Sequence, residues 1–266
     1  MRRYLYFVLG IIALAALPLL ASGAPNAEAN NAWGPYHWAR TANPFTLKLG
    51  DNLSSTWDPI LATTSSDWSV STVLNTTVDA GGAGDPRKCR ATTGRVEVCN
   101  AKYGARGWLG LASIWISGGH ITKGAVKLND TYFNTAKYDT PAWRNLVSCQ
   151  EVGHTLGLDH QDENFNNPNL GTCMDYTSSP DSNQHPNAHD YAMLEAIYAH
   201  LDSTTTVDAG APSGPGRNRG ARVDEPGDDP ADWGRPVGVD GHGRVNQFEL
   251  DLGNGQKKLT HVLWTR

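Results

Sequence analysis

Gln150-Glu151-Val152-Gly153-His154-Thr155-Leu156-Gly157-Leu158-Asp159-His160 is the stretch that decides how this chain is read. On a helix, residues 150 and 154 lie about 40° apart around the axis, so their side chains reach toward one point. Gly157 ends the helix and turns the chain, which lets His160 approach that point from outside it. Three side chains around one point with a fourth position open is the arrangement of a catalytic zinc site. Glu151, beside the first ligand position, then stands on the open side as general base for a water.

The helix is announced by Thr140 as N-cap and Pro141 as its first residue, and it runs through AWRNLVSCQEVGHTL. A later helix starts at Asn187, with Asp190 as a capping-box partner, and carries its apolar positions at Tyr191, Leu194, Ile197, Tyr198 and Leu201. Upstream, WDPILATTSSDWS reads as a helix opened by Asp58-Pro59. Strand signals lie in FTLKLG from Phe45, and in residues 71–78, 95–100, 108–116 and 120–128, each bounded by glycine, asparagine or aspartate. The fold class is therefore α+β, a twisted mixed sheet with a few helices.

These residues together resemble the HExxHxxGxxH signature of the metzincin zinc proteases, followed by a Met-turn at Cys173-Met174-Asp175-Tyr176. GWLGLASIWISGGHITKGAVKLND is similar to the strands before the active-site helix of the matrixin branch, and HDYAMLEAIYAHL resembles its closing helix. The resemblance covers residues 40–202. It implies a zincin-like domain and one catalytic Zn2+ held by Gln150, His154 and His160. It also implies that Gly157 and Met174 are structural, and that an extended polypeptide substrate binds along a strand edge at residues 124–129. No matrixin-type propeptide with an inhibitory cysteine precedes Phe45.

Gln150 stands where that signature has its first histidine. An amide oxygen is neutral, as an imidazole is, but it is a weak donor to zinc, so affinity falls while the ion stays electrophilic. Tyr176 matches the Met-x-Tyr of the astacin and serralysin branches, which implies a phenol that binds the ion or donates to the developing oxyanion; its structural reading is core packing. Asp162 and His120 are further substitutes for the missing ligand. His185 and His189 look like helix-entry residues, and His37, His200, His242 and His261 carry no spacing signal. The function expected is a secreted zinc metalloendopeptidase. The alternative is a secreted binding protein, a pseudoprotease in which Gln150 marks a dead site. Against that alternative stands Glu151, a carboxylate with no evident structural duty beside two histidines.

The N-terminus gives the compartment. Arg2-Arg3, the apolar run from Tyr4 to Leu20 and the small-residue stretch ending Ala27-Glu28-Ala29 read as a signal peptide over residues 1–29. An uncleaved anchor is the competing reading, which Pro18 and the small residues after it disfavour. Export lets Cys89, Cys99, Cys149 and Cys173 form disulfides; of the three pairings, that between sequence neighbours is expected, with Cys89–Cys99 stapling a hairpin about Thr93-Gly94.

Residues 30–202 form the catalytic domain. Residues 203–232, rich in Gly, Pro, Asp and Ser, read as a disordered linker, and residues 233–266 as a small β module with a hairpin at Gly253-Asn254-Gly255. A net charge of −5 provides no field for a polyanion, which excludes nucleic acid as a partner. A monomer is expected. Isolated acidic residues at Asn129-Asp130 and Asp162-Glu163 assign no Ca2+ site.

Overall fold

The computed structural model describes residues 30–208 and 224–266, together with Met1. The signal-peptide reading therefore lies outside the described residues. In chain order the elements are β1 (His37–Trp38), β2 (Phe45–Asn52), α1 (Asp58–Trp68), β3 (Leu74–Ala80), β4 (Val96–Ala101), β5 (Trp108–Ser117) and β6 (His120–Asn129). There follow α2 (Asp130–Phe133), α3 (Pro141–Thr155), a 3-10 turn at Pro180–Ser182, α4 (Ala188–Ile197), α5 (Pro230–Trp233), β7 (Arg235–Val239), β8 (Val245–Gly253) and β9 (Gln256–Trp264).

The strands form one mixed sheet in the order β3-β2-β4-β6-β5-β9-β8-β7, with β1 pairing β6 off that path. From β3 to β6 the neighbours run parallel; β5, β9, β8 and β7 continue antiparallel. The strands, helices and caps of the sequence reading are present. Thr140 accepts from the Trp143 N–H, and Asn187 and Asp190 make a reciprocal capping box.

Helix α3 packs on β5 and β6, with α1 beside it. Buried indoles fix its backbone: Trp68 Nε1 donates to the Cys149 carbonyl at 3.1 Å and Trp38 Nε1 to the Thr155 carbonyl at 2.9 Å. A partner for each buried indole N–H matters because an unmade hydrogen bond there costs about 1–3 kcal/mol.

Three expectations are corrected. Residues 233–266 are not a separate module: β9 pairs with β5 along its whole length, so the C-terminal strands extend the one sheet. The physical reason is that β5 would otherwise present an open edge, and Leu259, Val262 and Leu263 need a face to bury. The disordered linker of residues 203–232 is likewise too wide. The Thr206 N–H bonds the Ala39 carbonyl, Lys127 pairs with Asp228 at 2.7 Å, and Lys258 Nζ donates to the Pro226 carbonyl at 2.8 Å; residues 209–223 lie outside the described part. Finally, both disulfides join the expected neighbours, but Cys89 sits in a loop with φ +49° and staples that loop to β4, not two strands of a hairpin.

Candidate metal centre

The end of α3 sets the first candidate ligand. Leu156 caps the helix, and Gly157 reverses the chain at φ +98°, where a Cβ would stand 2.6 Å from the Tyr36 carbonyl oxygen. Only glycine fits such a turn. The reversal brings the Leu158 carbonyl onto His154 Nδ1 at 2.9 Å. A carbonyl only accepts, so Nδ1 carries the proton and Nε2 presents a lone pair, the pattern that orients a metal-binding imidazole. His160, just beyond, is held in the same way by Glu163, whose Oε1 lies 2.9 Å from Nδ1.

The third imidazole comes from β9. His261 sits opposite Ala112 of β5, with ring centroids 4.0 Å from His154 and 4.5 Å from His160; the latter two are 4.7 Å apart. One ligand nitrogen from each of the three lies within 4.8 Å of the others. Tyr176 Oη and Asn246 Nδ2 meet His261 Nε2 at 3.2 and 3.4 Å, and Asn246 also donates to Glu163.

Seven buried polar atoms here have no hydrogen-bond partner among the described residues: His154 Nε2, His160 Nε2, His261 Nδ1, Gln150 Oε1, both Glu151 carboxylate oxygens and Asp175 Oδ1. Buried polar groups are otherwise almost always satisfied. Three imidazoles with unpartnered nitrogens gathered at one place fit a zinc ion.

The electrostatics agree. Burial, with the neighbouring His160 adding to it, holds His154 well below the ordinary imidazole value. Burial and the other two imidazoles do the same to His261, so both stay neutral and able to bind a metal. Burial alone pushes Glu151 well above the usual carboxylate range. Burial also raises Glu163, but its bonds from His160 and Asn246 outweigh that and leave it below its ordinary value.

Around the centre, Met174 lies under the helix, its Sδ 2.7 Å from where a Cβ on Gly153 would be. The Cys149–Cys173 disulfide ties that turn to α3, and the Gln161 N–H bonds the Met174 carbonyl at 2.7 Å. Gln150 turns its Nε2 to the Cys173 carbonyl at 2.7 Å. Tyr176 stacks on Phe165, with centroids 4.7 Å apart, and tilts over His160 at 4.2 Å. Glu151 presses against β5, its Oε1 2.5 Å from a Cβ built on Gly110.

Two substitutes weighed from the sequence are elsewhere. Asp162 accepts from Asn164 and Asn167, and His120 meets Asp202 at 3.1 Å. Asn129 and Asp130 spend their side chains on protein donors and acceptors, among them the Trp57 indole at 3.0 Å from Asp130. The substrate edge at residues 124–129 is also corrected: it is the C-terminal part of β6, an interior strand flanked by β4 on one side and β5 on the other. His261 escaped the sequence reading because it has no fixed spacing from His154. Its one signal was a histidine inside the apolar run LTHVLW.

No protein-family model and no curated protein matches this chain. Among solved structures it is similar to high choriolytic enzyme 1, a hatching enzyme zinc-protease from the medaka fish Oryzias latipes. The identity is 11% and the TM-score 0.33, over 61% of this chain and 94% of that one. At that score the likeness carries no argument, and the chemistry of the centre rests on its own residues.

Proposed function

We propose that this chain is an exported, monomeric zinc metalloendopeptidase of the zincin type, with its ion held by His154, His160 and His261. The observation that supports this reading is the convergence of those three imidazoles, two with Nδ1 pinned by an acceptor, beside the unpartnered carboxylate of Glu151. Zinc bound there would polarise a peptide carbonyl and acidify a water. Glu151 takes the proton and delivers it to the leaving amine; desolvation makes its carboxylate a strong base, and Gly110 leaves it the room it occupies. Tyr176 orients His261 by accepting from its Nε2–H, which turns the Nδ1 lone pair to the ion. Gln150 acts as a tether to the Met174 turn and not as the third ligand.

One observation favours the pseudoprotease alternative. Glu151, His154 and His261 are fully buried, and β9 covers the edge of β5 beside them. An extended polypeptide reaches Glu151 only if the β8–β9 hairpin lifts, and lifting it removes His261. The test is zinc content and casein cleavage for wild type and Glu151→Gln. Cleavage by wild type and its loss in Glu151→Gln with zinc retained supports the peptidase. Zinc bound at His154 without any cleavage overturns it in favour of the inert reading.

A further inference from the structure

Beside Trp38 in the chain, at His37, four side chains from three distant segments point at one place. His37 lies in β1, His120 opens β6, and His200 and Asp202 follow α4. Asp202 Oδ1 lies 3.1 Å from His120 Nε2, 3.5 Å from His37 Nε2 and 3.7 Å from His200 Nε2, and the two nitrogens of His37 and His200 are 3.2 Å apart. The 3.5 and 3.7 Å separations are too long for good hydrogen bonds. They fit another geometry: bonds of about 2.1 Å to one tetrahedral zinc put neighbouring ligand atoms about 3.4 Å apart.

Proton accounting leads the same way. His37 Nδ1 faces the Pro35 carbonyl at 3.2 Å, so it carries a proton, and in the neutral ring its Nε2 is a bare lone pair. That lone pair confronts the lone pairs of a carboxylate oxygen. The other carboxylate oxygen, Oδ2, is taken by Arg40, through its backbone N–H at 3.1 Å and its guanidinium at 3.0 Å. Arg40 also donates to the carbonyl of His200. The carboxylate is thus fixed with Oδ1 turned to the three imidazoles, and two of the imidazoles cross the ring of His37 edge-on. Protons satisfy His37 Nε2 only by charging the ring or by lending it the N–H of His200, and neither closes all four contacts at once. One divalent cation satisfies all four atoms.

We propose that His37, His120, His200 and Asp202 form a second zinc site, structural and closed because all four positions are filled by protein. It clamps the N-terminal strand β1, and with it Trp38 under the end of α3, to β6 and to the chain after α4. It shares no residue with the His154 centre, so each site can fail without the other.

The experiment measures bound zinc and thermal unfolding in the full chain. His120 and His200 are partly exposed, at 32% and 58% of their side chains, so His120→Ala/His200→Ala keeps the core intact. Wild type is expected to hold two zinc ions and the double variant one, with a lower Tm in excess zinc. His154→Ala/His261→Ala is expected to keep the second ion and its zinc-dependent rise in Tm. Zinc content unchanged by His120→Ala/His200→Ala overturns the site, as does a zinc-insensitive Tm in the His154→Ala/His261→Ala chain.

Discussion

The rings of His154 and His261 lie 4.0 Å apart at an interplanar angle of 34°, although one ends the helix α3 and the other belongs to a strand near the C-terminus. Two imidazoles held that close and fully buried repel when charged; burial holds both well below the ordinary imidazole value, and His154 deepens the depression of His261. A cation shared between neutral rings would relieve the crowding, and this pair ties the C-terminal hairpin to the candidate metal centre.

Removing His261 tests that tie. His261→Ala is expected to weaken zinc at this centre on the order of 100-fold or more, since even groups one bond removed from a metal cost 10–100-fold. Because residue 150 lies one helical turn from His154, adding Gln150→His to that variant is expected to recover much of the loss. Competition against a chromogenic chelator reads both. Unchanged affinity in His261→Ala would falsify the assignment of the third ligand.

Gly110 governs where Glu151 can stand. A methyl there would lie 2.5 Å from Glu151 Oε1 and 2.8 Å from both Glu151 Cγ and Val147 Cγ1. Gly110→Ala is expected to cost about 1–3 kcal/mol through overpacking and to cut peptidase turnover while zinc content stays near wild type. Urea unfolding and zinc analysis, run on one preparation, separate the two effects. Full turnover would show that the carboxylate does not need this seat.

Opening the Cys149–Cys173 bridge releases the Met174 turn from α3. The bond closes a sequence separation of 24 residues, which corresponds to about 3 kcal/mol of chain entropy in the unfolded state. Cys149→Ser/Cys173→Ser is expected to lose that much stability and to loosen Gln150, whose amide bonds the Cys173 carbonyl. Hydrogen exchange at the Gln150 side chain and denaturant titration report each part. Stability equal to wild type would place the turn's anchoring elsewhere.

Lys258 gives a pH dependence away from the metal. Burial lowers its ammonium from 10.5 to about 8, although Asp232 works to raise it. Between pH 8 and 10.5 the unfolded chain holds this proton and the folded chain does not. Stability from this group is therefore fully present above pH 10.5 and lost as pH falls through 8. The wild-type stability minus that of Lys258→Met is expected to grow by about 3 kcal/mol across that range. A difference flat with pH would mean the ammonium is solvated.

Much of the scaffold was legible because its signals are local. Thr140-Pro141 opens α3, Asn187 and Asp190 make the capping box of α4, and Gly253-Asn254-Gly255 marks the turn between β8 and β9. Each depends on residues within a few positions of one another, where backbone sterics and single hydrogen bonds decide. The β module was misjudged for the opposite reason. Alternating residues show that a strand exists, but not which edge it will cover.

The same division runs through the centre. Sequence alone set His154, Gly157 and His160 around one point and put Glu151 beside them, because helical periodicity and a single glycine turn fix those directions. It could not supply His261, or join His37 and His120 to His200 and Asp202. Ligands brought together by sheet pairing have no characteristic spacing, and only the packed tertiary structure, in which β9 closes β5 and β1 meets β6, decides that they meet.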